Sequence, residues 1–142
     1  MIEDETSATA PERLPTVLAI LVVRNAAGRL RQTLAALAAQ TYPRLGVVAI
    51  DNASDDGSAE MLEEALGPGR VLRLPQDRGF AGAIAEILDH SGAARADFLL
   101  QLHDDAILDP DAVQRLVEAA IGIPGVSGVG IVGGKVVSAD DP

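Results

Sequence analysis

No cysteine occurs among the 142 residues, which removes disulfides, thiolate catalysis and Cys-based zinc sites together. Basic residues are scarce: 11 stand against 21 acidic ones, and the formal net charge is −10. A nucleic-acid partner needs the opposite balance or a concentrated basic stripe, and neither is present. Long apolar runs are lacking as well. The longest near the N-terminus, Val17 to Val23, falls far short of the roughly 20 residues of a spanning helix, so no membrane segment is expected. The chain opens on acidic and polar residues, the reverse of a signal peptide's basic start. Internal repeats and low-complexity tracts are also missing.

What is present points to a folded domain. Hydrophobic residues make up 48% of the chain, and the length suits one domain with a real core. Residues 1–13 read as a disordered acidic leader, and 14–142 as the domain. Thr16 to Val23 is a β-branched and aliphatic run, the mark of a strand buried on both faces. Asn25 is placed to cap a helix carrying Leu30, Leu34 and Leu37, which Tyr42-Pro43 ends. A second strand, Val47 to Ile50, stops at Asp51. Turn chemistry over Asn52 to Gly57 leads into a helix over Ser58 to Leu66, closed by Gly67-Pro68-Gly69. Further strands are expected at Val71 to Leu74 and Phe98 to Leu102, with a helix from Gly79 to about Ser91 between them. Asp109 (N-cap) and Pro110 (first helical position) open a helix to Ala120, and Gly128 to Val137 reads as extended. Strand and helix alternate throughout. That order predicts an α/β fold: a Rossmann-like, mostly parallel sheet flanked by helices.

In an open parallel sheet, ligands bind beyond the carboxyl ends of the strands, near the point where strand order reverses. Here those ends carry Arg24-Asn25, Asp51-Asn52, Pro75 to Arg78 and His103-Asp104-Asp105. The paired acids repel one another, and no Lys or Arg lies nearby in sequence to neutralise them. They read equally well as a divalent-cation site bridging to substrate phosphates or as a solvated acidic turn before a capped helix. Arg78 is placed to reach phosphate directly, with Gly79 beside it allowing close approach.

These residues also carry a family resemblance. Val17-Leu-Ala-Ile-Leu-Val-Val-Arg-Asn25 resembles a first strand ending Thr-Tyr-Asn, and Leu34 to Pro43 resembles a helix ending Gln-Thr-Tyr-Pro. Ile50-Asp-Asn-Ala-Ser-Asp-Asp-Gly-Ser58 resembles Val-Asp-Asn-Gly-Ser-Thr-Asp-Gly-Ser, and Asp77-Arg-Gly-Phe-Ala-Gly82 resembles Asn-Arg-Gly-Phe-Ala-Gly. His103-Asp104-Asp105 occupies the place of an Asp-X-Asp metal motif. With four segments in order, the chain resembles the N-terminal, donor-binding half of a family 2 glycosyltransferase of the GT-A fold. The resemblance implies a UDP-, dTDP- or GDP-sugar donor and transfer to an acceptor glycan or lipid-linked sugar with inversion. It also implies Mg²⁺ or Mn²⁺ held by Asp105 and His103. The donor itself would be met by Val23, Arg24, Asn25, Asp51, Asn52, Arg78, Gly79 and Asp104. In that scheme Asp51 reads the nucleobase and Asp104 sits near the ribose. No catalytic residue is expected in this chain: the family's base comes from a later segment, beyond Pro142. The resemblance therefore implies a truncated piece, inactive in transfer by itself, and a place in the cytoplasm or at the cytoplasmic membrane face.

The chain departs from the family's pattern at several points. Arg24 replaces a tyrosine that stacks on the base, and Tyr42, Phe80 and Phe98 are the only aromatics in the chain. Asp77 replaces an asparagine, Ala85 stands where an asparagine often recurs, and His103 replaces the first acid of the metal motif. Plainer roles compete at each position. Asp51 can start an Asx turn, Asp55 and Asp56 suit turn and cap, and Arg78 suits a solvated loop. His90 fits a helix C-terminus, and His103 reads as ligand or structural residue alike. Gly128-Val-Gly-Ile-Val-Gly133 spells a dinucleotide fingerprint but does not open a helix after the first strand, as that motif must. A non-catalytic domain of the same fold is one alternative. A phosphoacceptor receiver is another, disfavoured because the first strand ends in Arg24-Asn25 and Lys135 is the only lysine.

Overall fold

The hydrophobic run at Val17–Val23 becomes β1, the inner strand of a four-stranded, all-parallel sheet ordered β3-β2-β1-β4. The computed structural model describes residues 13–90, 95–122 and 131–138. The acidic leader up to residue 12 and Gly128 to Gly130 of the fingerprint-like stretch lie outside these. The chain order is β1, α1 (Leu30–Ala38), β2 (Leu45–Asn52), α2 (Ser58–Leu66), β3 (Val71–Leu74), α3 (Gly79–His90), β4 (Phe98–His103) and α4 (Ala112–Ile121). Each expected element within the first 122 residues is present. The stretch expected to be extended forms no strand over 131–137, with only an isolated bridge at Ser138.

Both faces of β1 are buried, as its unbroken apolar sequence requires. Ala19, Leu21 and Val23 pack with Leu30 and Leu37 of α1 and Leu62 of α2. Ile20 and Val22 face the other way, onto Ala83, Ile84 and Ile87 of α3. The reason lies in the connections. From β1 through β3 the chain steps one way across the sheet, then doubles back past β1 to place β4. Right-handed crossovers put helices of opposite steps on opposite faces, so α3 falls alone on its side. The reversal between β1 and β4 is the topological switch point.

The β1–β4 pair is pinned at its lower end. Asp97 Oδ2 accepts from the Thr16 amide at 2.7 Å and the Thr16 hydroxyl at 2.8 Å, while that hydroxyl accepts from the Asp97 amide at 3.0 Å. Those donors, the amide foremost, hold the Asp97 carboxyl below the ordinary carboxylate value.

Two helix starts differ from expectation. Helix α4 begins at Ala112 behind Asp111, two residues later than the Asp109-Pro110 signal suggests. The Asp109 carbonyl takes Gln40 Nε2 at 2.7 Å besides the Ala112 amide at 2.9 Å, and the Pro110 carbonyl takes the Thr41 amide at 2.9 Å. Gln40 Oε1 then accepts the Val113 amide at 3.1 Å, so a side chain from a distant segment satisfies the helix start. The Gln-Thr-Tyr-Pro motif is thus a brace, completed by Tyr42 Oη donating to the Pro15 carbonyl at 2.6 Å. Helix α1 is not capped by Asn25: it starts at Leu30, and Asn25 adopts a left-handed φ of 47°.

Among the described residues, no helix is long and apolar enough to cross a membrane. Leu62 is fully buried between α2 and the sheet, whereas Leu99 on β4 is 41% exposed. Leu62→Ala should cost about 2–5 kcal/mol. Leu99→Ala, removing a half-solvated side chain, should cost well under that. Urea unfolding of both variants measures the contrast.

Candidate functional site

At the switch point Asp104 ties the strands together. Its Oδ1 accepts from Arg29 Nε at 3.0 Å and Nη2 at 2.7 Å, and its Oδ2 accepts from the Arg24 amide at 3.0 Å. The Asp104 carbonyl takes the Thr33 hydroxyl at 2.9 Å. This corrects the expectation of an acid pair without a neutralising cation: parallel pairing of β1 and β4 delivers Arg29 from far away in sequence. Asp105 differs. It is exposed and makes no hydrogen bond or ion pair among the described residues.

The loops after β1 and β2 are joined by four hydrogen bonds. The Asn25, Ala26 and Ala27 amides donate to Ser54 Oγ, Ser58 Oγ and Asp56 Oδ2 at 2.9, 2.9 and 3.0 Å, and the Asp55 amide donates to Asn25 Oδ1 at 2.9 Å. Asp56 Oδ1 also takes the Ser58 hydroxyl at 2.6 Å and its amide at 3.0 Å. These bonds, the Ser58 hydroxyl first, lower the Asp56 pKa. Asp56 is therefore a loop-building residue, while Asp55 joins the loops through its backbone amide. Ala53 sits at φ 62°, a left-handed conformation, at the position where the resembling motif carries glycine.

Asp51 is 3% exposed. Its Oδ2 accepts the Ser54 amide at 3.1 Å, three residues on rather than the two of an Asx turn, while its Oδ1 is buried with no partner among the described residues. Register pairs Asp51 with Val23, so its side chain lies on the α1–α2 side of the sheet.

On the α3 side, Asn52 organises the loop after β3. Its Nδ2 donates to Asp77 Oδ1 at 2.7 Å, and its Oδ1 accepts the Arg78 amide at 2.9 Å. The Gly79 amide also donates to Asp77 Oδ1, at 2.8 Å, from a φ of 68° that suits glycine. That amide is the largest cause of the lowered Asp77 pKa, with the Arg24 charge adding to it. Arg24 Nη1 reaches Asp77 Oδ2 at 2.7 Å and the Asn52 carbonyl at 3.3 Å. Phe80 stacks on His103 with ring centroids 3.9 Å apart.

Together these groups line an open cavity of about 240 Å³. Of the expected site residues it brings together Arg24, Asn52, Gly79, His103 and Asp104. Asp77, from the expected Pro75 to Arg78 strand end, also lines it, and Val22 and Phe80 join them unforeseen. Val23 points into the core, and Asn25, Asp51 and Asp105 lie off the lining. Arg78 turns along α3 toward Glu86, 3.8 Å away, with its side chain 48% exposed. The Arg24–Asp77 pair had a sequence signal: opposite charges replace neutral residues in two separate motifs. No group of three or more His, Asp or Glu that could hold a metal occurs among the described residues. Within the 103–105 segment, Asp105 is the carboxylate without a partner among the described residues, and the His103 ring lies against Phe80.

Residues 18–138 match the family described as Glycosyl transferase family 2. The succinoglycan biosynthesis protein ExoO of Rhizobium meliloti (strain 1021) is 27% identical over 112 residues, which cover 78% of this chain and 31% of that protein. The mannosyltransferase PcManGT of Pyrobaculum calidifontis, solved with GDP-Man and Mn²⁺, superposes with a TM-score of 0.69 at 25% identity over 82% of this chain and 35% of that one. S. aureus TarS residues 1–349, solved with UDP, gives 0.61 at 20% identity over 75% and 32%, a likeness of fold. The chain thus spans about a third of the length of these relatives.

Two expectations follow from the loops. Ala53→Gly should stabilise the protein by about 0.5–1 kcal/mol, because it relieves a left-handed alanine; chemical denaturation checks it. Asp56, Asp77 and Asp97 have folded-state pKa values below their ordinary 3.8. Their stabilisation is therefore full above the ordinary value and lost as pH falls through the lowered ones. The melting temperature should drop steeply below about pH 4, and Asp56→Asn, already missing one such carboxylate, should show a shallower drop in pH-resolved thermal melts.

Proposed function

The chain belongs to glycosyl transferase family 2, and from that premise we propose that it forms the donor-binding part of an enzyme that moves a sugar from a nucleoside diphosphate to an acceptor hydroxyl. The observation that carries this reading is the location of the cavity. It opens at the carboxyl ends of β1, β2 and β4, beside the switch point, where open α/β sheets bind ligands. Solved relatives of this fold hold UDP or GDP-Man.

In this reading the Asp51 Oδ1 takes a nucleobase N–H. A buried carboxylate oxygen without a partner is costly, and such a donor would satisfy it. The atom is covered in the free chain, so the loop after β2 must shift to admit the base. Asp104, fixed by Arg29, faces the ribose. The half-exposed Arg78 guanidinium, held among the described residues by a long contact to Glu86, would swing onto the diphosphate. Asp105, with His103 beside it, would hold Mg²⁺ or Mn²⁺. When bound, that cation supplies charge to the departing diphosphate. The proposed dependence on it rests on Asp105, which unlike Asp104 and Asp77 has no paired arginine among the described residues. The acceptor is proposed as a glycan or lipid-linked sugar, with inversion at the transferred carbon. No residue of this chain is assigned as the general base.

Calorimetric titration of UDP and GDP with Mn²⁺, then with EDTA, tests the scheme. Binding should require the metal. Asp105→Asn should weaken it by about 10-fold or more, whereas Asp55→Asn, in a turn, should leave it near the unmutated value. Equal affinity with EDTA would remove the metal's bridging role. No binding of either nucleotide would remove the donor reading.

A further inference from the structure

We propose that Arg29 is a positioning residue that withdraws Asp104 from cation binding, so that the end of β4 takes a divalent cation only together with a nucleotide's phosphates. The inference rests on the donor-binding reading above and goes beyond it by giving Arg29 control over when the cation is taken up.

Two adjacent carboxylates, Asp104 and Asp105, suggest a chelating pair in the sequence. Yet no group of three or more His, Asp or Glu suited to a metal occurs among the described residues. Arg29 accounts for the difference. Its Nε and Nη2 both donate to Asp104 Oδ1, at 3.0 and 2.7 Å, and the Arg24 amide donates to Oδ2 at 3.0 Å. Three of the roughly four acceptor positions of that carboxylate are thereby filled. A cation arriving at Asp104 must also face the guanidinium charge beside it.

This is more than a pair of mobile surface charges, which would fix little. The Asp104 side chain is 14% exposed. Thr33, one helical turn beyond Arg29, donates its hydroxyl to the Asp104 carbonyl at 2.9 Å and is itself 1% exposed. The same stretch of chain therefore grips Asp104 by side chain and by backbone. Asp105 has no such partner among the described residues. By itself it is one carboxylate for an ion that takes roughly six oxygens. The donor's phosphates and water would supply the others.

Without Arg29 the balance reverses. Asp104 becomes a largely covered carboxylate that has lost its charge partner, a costly state that a cation shared with Asp105 would relieve.

The test is titration of Mn²⁺ alone, read by the electron paramagnetic resonance signal of the free ion. It compares the unmutated protein with R29M, R29K, R31M and the double variant R29M/D104N. R29M should bind Mn²⁺ about 5-fold or more tighter with no nucleotide present. R29K keeps an ion pair with Asp104, and R29M/D104N has no freed carboxylate, so both should stay near the unmutated affinity. R31M should do the same, because it removes an exposed arginine of α1 that does not touch Asp104. R29Q carries the expectation of R29M should that variant lose its fold, which thermal melts report. A merely structural Arg29 would lower the melting temperature in R29M without tightening Mn²⁺ binding. Equal or weaker Mn²⁺ binding by R29M and R29Q, the same increase in R31M, or an increase that survives D104N would each overturn the inference while leaving donor binding intact. Failure of the unmutated protein to bind UDP or GDP with Mn²⁺ would overturn both.

Discussion

The clamping of β4 onto β1 is the constraint on which the site depends. These two strands are far apart in sequence, and their pairing creates the switch point. Backbone hydrogen bonds align them, but carboxylates fix the two ends: Asp97 on Thr16 below, Asp104 on Arg29 and the Arg24 amide above. A strand end without the upper pin would splay, because His103 is its last residue and a turn follows directly. Asp104 also links the loop after β1, and so sets the point from which the Arg24 side chain departs.

Much of the fold was legible because its signals are local. The unbroken apolar run of β1, the glycine and proline punctuation around α2, and the helical spacing in α3 each depend on neighbours in sequence. The parallel, helix-covered sheet followed from their alternation. Helix starts were less legible. Asp109-Pro110 is a sound local signal, yet Gln40 and Thr41 also bond those carbonyls, and α4 starts at Ala112. Asn25 looked like a cap but serves a left-handed turn, because the Asp55 amide needs its side-chain oxygen.

The candidate site was legible residue by residue and much less so as a set of partnerships. Its strand-end positions were foreseen, and Arg24, Asn52, Gly79, His103 and Asp104 do meet. The pairing of Arg29 with Asp104 spans 75 positions, and no local pattern announces it. Nor does sequence reveal that Asp51 turns one oxygen to Ser54 and leaves the other buried and unpaired. Side-chain direction at a strand end depends on register, and register follows from tertiary pairing.

Asp104 and Asp105, adjacent and identical in type, have opposite fates, and the difference bears on how a cation could bind. Two free neighbouring carboxylates would repel each other. Arg29 relieves that repulsion by taking Asp104, whose two oxygens are then both engaged. Asp105 is left exposed and unpartnered among the described residues. An edge with one free carboxylate and one histidine offers too few donors to hold a hard cation tightly by itself. In the proposed scheme the cation would be completed by the oxygens of a diphosphate. On that scheme metal and donor would bind together, each supplying what the other's site lacks.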